Sequence, residues 1–261
     1  ARQPGEANAI VTEALTKRQG GQGDRLGSFV ADALDAPDTA AQRTANLTAA
    51  RGAAADTAYS SARQSAGAVN LNGAIDTIDT LLKRDPILGE TALSQGPMGA
   101  RLAALRARLA AGGEQLIDFD SVLAIKSDLY NQMQRNPQVA REMQPVYSAL
   151  DSALENSSAS YRAANDGFAK ASRTIEQIDA GKAAASPRVR ASDTVPAFNA
   201  LTPEQQAAFR SGYSDPVLAK IEAAAPGVNK ARPLLNEKTA TELGAMANDP
   251  ALLARRVGRE N

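Results

Sequence analysis

The stretch "TAARGAAADTAYSSARQSAGAVN", Thr48–Asn70, decides whether this chain is built from packed helices or from linkers. Residues of one face recur through and around it in steps of four and three: Ala41, Ala45, Thr48, Gly52, Ala55, Tyr59, Ala62 and Ala66. This heptad spacing predicts a helix whose packing face, called the seam below, consists of small side chains, because small side chains let helix axes approach closely. A solvated alanine-rich linker is the alternative, since alanine is frequent enough here to fit many registers.

The composition around this stretch favours helices with shallow cores. Hydrophobic residues make up 43% of the 261 residues, but aromatics account for only 4% and tryptophan is absent. Alanine is the best helix former, yet it buries little apolar area. We therefore predict an all-α fold, an elongated bundle of helices or helical hairpins with a C-terminal lobe of short helices.

Charge and missing residue types exclude several function classes. Lys and Arg number 29, as do Asp and Glu, whereas a dedicated nucleic-acid binder needs a basic excess. The chain has no histidine and no cysteine, which removes disulfides, thiolate sites, most zinc sites and His-activated nucleophiles. No apolar run approaches the ~20 residues of a membrane span. We predict no enzymatic activity, no cofactor and no metal site.

Breaks in the pattern divide the chain into three predicted segments. Residues 1–36 hold two short helices, near Ala7–Lys17 and Arg25–Leu34, with a glycine-rich loop between them. Residues 37–185 hold the long helices of a bundle. The sequence pattern changes at residues 186–261, which are predicted to form a region of short helices.

Two segments of the middle region have apolar residues along one side of a predicted helix. In the first, directly after the opening stretch, heptad spacing is followed by Leu71, Ile75, Ile78 and Leu82. Together with Ala55, Tyr59 and Ala62, they form the predicted packing seam through which the chain would oligomerise.

The best-patterned helix is "IDFDSVLAIKSDLYNQMQRNP", Ile117–Pro137, whose apolar stripe is predicted to face the core. The stripe consists of Phe119, Val122, Ile125, Leu129 and Met133. Asp118 or Asp120 can cap it, and Asn136-Pro137 should end it. In the next helix, Pro145 is expected to kink or restart the chain.

The C-terminal region contains three cap-then-proline signatures, at each of which a helix-capping residue is followed directly by proline. Thr202-Pro203, Asp215-Pro216 and Asp249-Pro250 each place a capping side chain before a proline suited to the first helical turn. Each is predicted to open a short helix.

Arg101, Arg106 and Arg108 form a basic cluster and are the candidate phosphate contacts. No aromatic residues interleave with them, so ordinary charged surface is the alternative. Asp76 and Asp79 fall between apolar positions of an amphipathic helix and are interpreted as its solvated face.

Four phrases carry a resemblance to a known class of proteins: "TAARGAAADTAYSSARQSAGAVNLNGAIDTIDTLL", "LIDFDSVLAIKSDLY", "SYRAANDGFAKASR" and "FNALTPEQQAAFRSGYSDPVLAKIEAA…NKARPLLNEKTATEL". They are similar to segments of large, alanine-rich proteins from tailed-phage and prophage virion gene clusters, particularly of alphaproteobacterial hosts. Those proteins are internal virion proteins of the DNA-ejection or DNA-transfer type. The resemblance covers roughly residues 40–261.

The resemblance implies a phage structural protein stored in the particle interior and delivered with the genome into the host periplasm and envelope. It implies a homo-oligomer that associates with the portal or other ejection proteins, contacts DNA weakly and meets the host envelope after ejection. Some members carry a peptidoglycan-cleaving transglycosylase domain whose catalytic glutamate is usually followed by serine. This sequence has no Glu-Ser pair, so that activity is not carried over.

Two other function classes remain open at this point. A helical interaction or adaptor module in the bacterial cytoplasm would be a stable monomer with one exposed apolar groove. A glycan-cleaving enzyme would clear a suspension of purified peptidoglycan.

Overall fold

The structure is a computed structural model that describes residues 9–13, 16–17, 20–82, 96–111, 114–225 and 228–261. Its helices are α1 (Gln22–Leu34), α2 (Ala40–Gln64), α3 (Asn72–Leu82), α4 (Pro97–Leu109), α5 (Phe119–Arg135), α6 (Pro137–Ser157), α7 (Ala159–Ala184), α8 (Ala191–Asn199), α9 (Pro203–Glu222), α10 (Glu237–Met246) and α11 (Pro250–Glu260). A 3₁₀ helix covers Arg232–Leu235, and residues 9–13 and 16–17 are also helical. The all-α prediction is confirmed; a two-residue antiparallel pair, Ala110–Ala111 with Glu114–Gln115, is a minor addition. Within these ranges, no helix is both long enough and apolar enough to cross a membrane.

The chain forms two compact units. The terminal unit comprises Ala1–Arg51 and Ala169–Asn261, and the central unit comprises Gly52–Phe168. The predicted boundaries after residues 36 and 185 do not coincide with this division, which falls inside α2 and α7. Sequence breaks mark where helices end, whereas the units reflect which helix faces pack together.

The central unit is organised around the hairpin of α5 and α6, against which α3 and α4 pack. The predicted stripe of α5 is confirmed, because Phe119, Val122, Ile125, Leu129 and Met133 are all buried. Further buried side chains of this core are Leu102, Leu109, Val139, Met143, Val146, Leu150 and Leu154.

Local capping signals in the central unit are mostly as predicted. Asp118, rather than Asp120, caps α5, and its side chain accepts a hydrogen bond from the Ser121 backbone at 2.8 Å. Asn136 ends α5 and caps α6. Pro145 does not restart the helix, because α6 continues through it. Pro145 lies on the exposed face, where water can satisfy the carbonyl that loses its helical donor.

The terminal unit joins the first described long helix to the end of the chain. Leu26, Val30 and Leu34 of α1 pack into a core with α9 and α11. The buried Gln22 side chain donates to the Glu260 carbonyl at 2.5 Å and accepts from the Lys230 backbone at 3.2 Å. These contacts place α1 in the C-terminal lobe rather than in a separate N-terminal segment.

The stretch Thr48–Gln64 belongs to one continuous helix, so the helix interpretation is confirmed over the linker alternative. The predicted seam is correct only in its second half, where Ala55 and Tyr59 are half-buried and Ala62 is fully buried. In the first half the covered side is shifted by one residue: Ala40 is buried and Thr44, Leu47 and Arg51 are half-buried, while Ala41, Ala45 and Thr48 are exposed. Alanine on every side of the helix conceals this register from the sequence.

The three cap-then-proline signatures have different outcomes. Thr202 forms a full capping box with Gln205, and Asp249 caps α11, as predicted. The Asp215-Pro216 prediction is wrong, because Pro216 lies inside α9. Asp215 instead caps a helix distant in sequence: its Oδ2 accepts from the Ala40 backbone at 3.0 Å, at the start of α2.

Helices α7 and α9 cross at very close range through two glycines. A Cβ atom at Gly212 would lie 1.8 Å from the Ile178 carbonyl oxygen, and one at Gly181 would lie 2.1 Å from the Phe209 carbonyl oxygen. Neither position can therefore hold a larger residue without moving a helix. This crossing anchors the C-terminal half of α7 in the terminal unit.

Candidate functional site

The residues predicted to form an oligomer seam lie inside the central unit. Leu71, Ile78 and Ala62 are buried in its core, and Ile75, Leu82 and Tyr59 are half-buried against the same core. Ala55 is also half-buried. Leu71, Ile78 and Ala62 are therefore covered by the chain itself and are not accessible to a second copy, whereas the other four residues are only partly covered. An apolar stripe shows that a face is buried but does not show which chain buries it.

The three candidate phosphate contacts do not converge as one free cluster. Arg106 donates to both carboxylate oxygens of Asp79, at 2.5 and 2.9 Å, and this hydrogen bonding raises the pKa of Arg106. Arg108 approaches Asp128 at 3.4 Å. Arg101 is exposed and has no polar partner among the residues placed by the structure. Arg106 would have to leave Asp79 to bind a phosphate.

The most unusual polar group of the central unit is Lys126 on α5, which is only 7% exposed. Its ammonium group donates to Asp151 of α6 and to the Tyr161 hydroxyl of α7, the latter at 3.0 Å. The nitrogen lies 4.9 Å from the ring centroid of Tyr147 and 5.4 Å from that of Tyr161. A carboxylate and two aromatic faces therefore enclose one buried cation.

The chemistry of this cluster disfavours a reactive lysine. Burial by itself lowers the pKa of Lys126, but the hydrogen bonds with Asp151 and Tyr161 outweigh it and raise the pKa above the ordinary lysine value. Burial likewise raises the pKa of Tyr161, only partly offset by Lys126. Lys126 thus stays protonated and Tyr161 neutral at physiological pH, whereas a nucleophilic lysine needs a lowered pKa. The cluster joins three helices and serves packing.

A second buried polar cluster holds the end of α7 in the terminal unit. Glu242 is fully buried, and its Oε2 accepts from the Tyr213 hydroxyl at 2.6 Å and from Lys238 at 2.7 Å. Lys238 also donates to the Ala184 carbonyl at 2.7 Å, and Lys220 donates to the Ala185 carbonyl at 2.8 Å. Burial and the Glu242 contact raise the pKa of Tyr213. Two lysines thereby satisfy the C-terminal carbonyls of α7.

An open apolar groove is the surface feature of the terminal unit that is best suited to binding. It lies between the 3₁₀ helix, α10 and α11, has a volume of about 420 Å³, and is lined by ten uncharged apolar residues. The larger side chains of the lining are those of Leu234, Leu235, Leu243, Leu253 and Val257, and all of them except Leu235 are buried. Leu235 remains 46% exposed. None of the ten lining residues has a polar side chain that could orient a small polar substrate, so the groove suits an apolar side of another polypeptide.

Sequence reasoning did not find this groove. Its lining comes from three short elements separated by turns, and about half of it is alanine, glycine and proline, which give a weak apolar signal. Lys126 was also missed, because its position in α5 reads as an ordinary polar site between apolar ones. Across the described ranges, no three acidic side chains are grouped so that they could hold a metal ion.

Comparison with known proteins adds no relative: neither the protein-family models, nor the curated proteins, nor the solved structures contain a match to this chain.

Proposed function

We propose that this chain is a non-enzymatic helical assembly protein of the virion interior, of the DNA-ejection type that its sequence resembles. The observation that carries the assembly part is the open apolar groove, at which Leu235 stays 46% exposed beside small apolar residues, because exposed apolar surface of this kind is typical of interaction sites. The phage part derives from the resemblance stated above. The groove and the resemblance are independent, so they can be tested separately.

The two unusual polar clusters are consistent with a structural role. Lys126 and Glu242 are both engaged by neighbouring side chains within their own units. Each links more than one helix, and neither combines a lowered-pKa nucleophile with an adjacent base. We propose that the partners are further copies of this chain and other virion proteins, the portal or other ejection proteins, with weak DNA contact and a host-envelope contact after ejection.

The location is tested by quantitative mass spectrometry of nuclease-treated, gradient-purified particles from the source strain. We expect the chain at a fixed ratio to the capsid protein in full particles and its loss from particles that have ejected their DNA. A cytosolic protein of similar abundance is the control. Enrichment in the cytosol and absence from particles would favour the cytoplasmic adaptor instead. Portal and tail genes next to the coding gene would support the virion assignment.

The non-enzymatic part has its own test. Incubation of the purified chain with purified peptidoglycan should leave the turbidity unchanged, while a lysozyme control clears it. Clearance by the chain would contradict the proposal and would favour the glycan-cleaving alternative.

A further inference from the structure

We infer that Gly52 and Gly167 form a hinge in α2 and α7, the two helices that connect the units. Such a hinge lets each unit change orientation without unfolding its own core, and it does not depend on the proposed function. Three features of these helices support it: where the units divide, how little of each helix is buried there, and which glycines the packing does not require.

The chain passes between the units twice, and each passage lies inside a continuous helix. The division falls between Arg51 and Gly52 in α2, and between Phe168 and Ala169 in α7. Any change in the orientation of one unit must therefore bend both helices. A glycine lies directly at the first division, and another lies two residues before Ala169.

Both connecting helices are thinly packed around these divisions. In α2, Ala40 and Ala62 are buried, but none of residues 41–61 is. In α7, Ala164 and Ile178 are buried, but none of residues 165–177 is. Segments with few buried apolar contacts open at a lower free energy than the cores that flank them. Both helices can therefore bend here while the two cores stay intact.

The glycines at the divisions have no packing role. Helix α2 has one glycine, Gly52, and α7 has two, Gly167 and Gly181. Gly181 is required by the close crossing with α9, whereas a Cβ atom at Gly52 or Gly167 would meet nothing within 4 Å. Neither of these two has a positive φ, so any residue could adopt their backbone conformation. Because glycine weakens a helix interior more than any residue except proline, both helices are weakest beside the divisions.

The two weak points lie close together along the helix pair. Tyr59 of α2 donates to Asn165 of α7 at 2.8 Å. Further along α2, Ser65 bonds to Ser160, which is earlier in α7, at 3.2 Å, so the two helices run antiparallel here. The glycine of α2 lies seven residues before Tyr59, and that of α7 lies two residues after Asn165. At ~1.5 Å per residue, they lie about 10 Å and about 3 Å beyond this hydrogen bond, on the same side of it.

On each side of the glycines, α2 and α7 are held within one unit. In the terminal unit, Arg51 donates to Ser172 at 2.9 Å, and Asp215 caps the start of α2. In the central unit, the ring centroids of Tyr59 and Tyr161 lie 5.7 Å apart. The glycine of each helix lies between these anchors, which is the arrangement that a hinge needs.

The test is double electron–electron resonance on the full chain, which measures the distribution of distances between two spin labels. Because the chain has no cysteine, labels can be attached at Ala124→Cys in the central unit and Ala197→Cys in the terminal unit, both exposed positions. A large excess of unlabelled chain removes distances between copies. We expect a broad distribution, which Gly52→Ala combined with Gly167→Ala should narrow at least ~2-fold.

Hydrogen exchange of the full chain measures local opening at the same positions. The amides one to four residues after Gly52 and Gly167 should exchange at least ~10-fold faster than those of α5, and each alanine substitution should slow them at least ~3-fold. Gly258→Ala is the matched control, because nothing would come within 4 Å of its Cβ and α11 lies within one unit. It should leave the distance distribution and the exchange of α2 and α7 unchanged.

Each contrary outcome has a defined meaning. A narrow distance distribution in the parent chain overturns the hinge. A broad distribution that the two alanine substitutions leave unchanged overturns these glycines as its position. Equal narrowing by Gly258→Ala overturns a local cause, because general stabilisation would then explain the effect. The particle test of the proposed function is unaffected by all three, so the hinge and that function can fail separately.

Discussion

Replacing Gly212 by alanine should destabilise the terminal unit, although glycine is normally the poorer residue inside a helix. The added Cβ would lie 1.8 Å from the Ile178 carbonyl oxygen, and real Cβ atoms essentially never come closer than 3.0 Å. The obstacle is backbone and cannot rotate away, so α7 and α9 must separate by about 1.2 Å. That separation would loosen the contacts of the buried Ala208, Phe209 and Tyr213.

The size of the effect follows from two opposing contributions. Overpacking of this kind costs about 1–3 kcal/mol, and a rigid backbone obstacle places the cost at the upper end. Higher helix propensity returns about 1 kcal/mol. We therefore expect the free energy of unfolding to fall by about 2 kcal/mol, which corresponds to a decrease in Tm of about 4–8 °C for a unit of this size.

Gly258→Ala is the matched control, because Gly258 lies in α11 of the same unit and nothing would come within 4 Å of its Cβ. That substitution should stabilise the protein by up to about 1 kcal/mol. Urea unfolding followed by circular dichroism measures both variants, and hydrogen exchange at the α9 amides reports the local effect. A Gly212→Ala protein at least as stable as the parent, with unchanged α9 exchange, would refute the close crossing.

Three further predictions concern the polar contacts. Lys126→Met should lower the free energy of unfolding by about 2 kcal/mol. This is less than expected for a fully buried ion pair, because the side chain of Asp151 is 31% exposed. The control, Lys170→Met on an exposed part of α7, should change the free energy of unfolding by less than about 0.5 kcal/mol. Asp215→Ala should lower the free energy of unfolding by about 1 kcal/mol and increase hydrogen exchange at the start of α2, because the amide of Ala40 loses its cap. Unchanged exchange at the start of α2 would contradict the capping of this helix by Asp215. The urea midpoint should be nearly constant between about pH 5.5 and 9, because the chain has no histidine or cysteine, and should fall above about pH 10. There the unfolded chain releases the protons of Lys126 and Tyr161, whose raised pKa values keep them bound in the folded state; a loss of stability between pH 6 and 8 would contradict this reasoning.

Helices and several of their ends were predictable because their causes act within one or two turns. Asp118 caps α5 through an amide three residues away, and Asn136 both ends α5 and caps α6. The apolar stripe of α5 has a single period and is buried throughout. Such signals need no knowledge of the rest of the chain.

The candidate surfaces were not predictable, because they depend on which helices meet. The sequence pattern of Asp215-Pro216 is the same as that of a helix start, yet Asp215 caps a helix that begins 175 residues earlier. The sequence pattern predicts that Leu71 and Ile78 contact other copies of the chain, but both are covered by α4–α6 of their own unit. The groove exists only where three short elements meet, so no one of them shows it.

Composition and periodicity by themselves determined that this chain is helical, with thin alanine-lined faces, because helix propensity and apolar spacing are local properties. The tertiary structure alone decided that α1 packs with the C-terminal helices, that Lys126 and Glu242 are buried in polar clusters, and that one apolar groove stays open. Alanine is compatible with burial on any side of a helix. The choice of buried face, and with it the surface left for partners, therefore depends on the few larger side chains that meet across the fold.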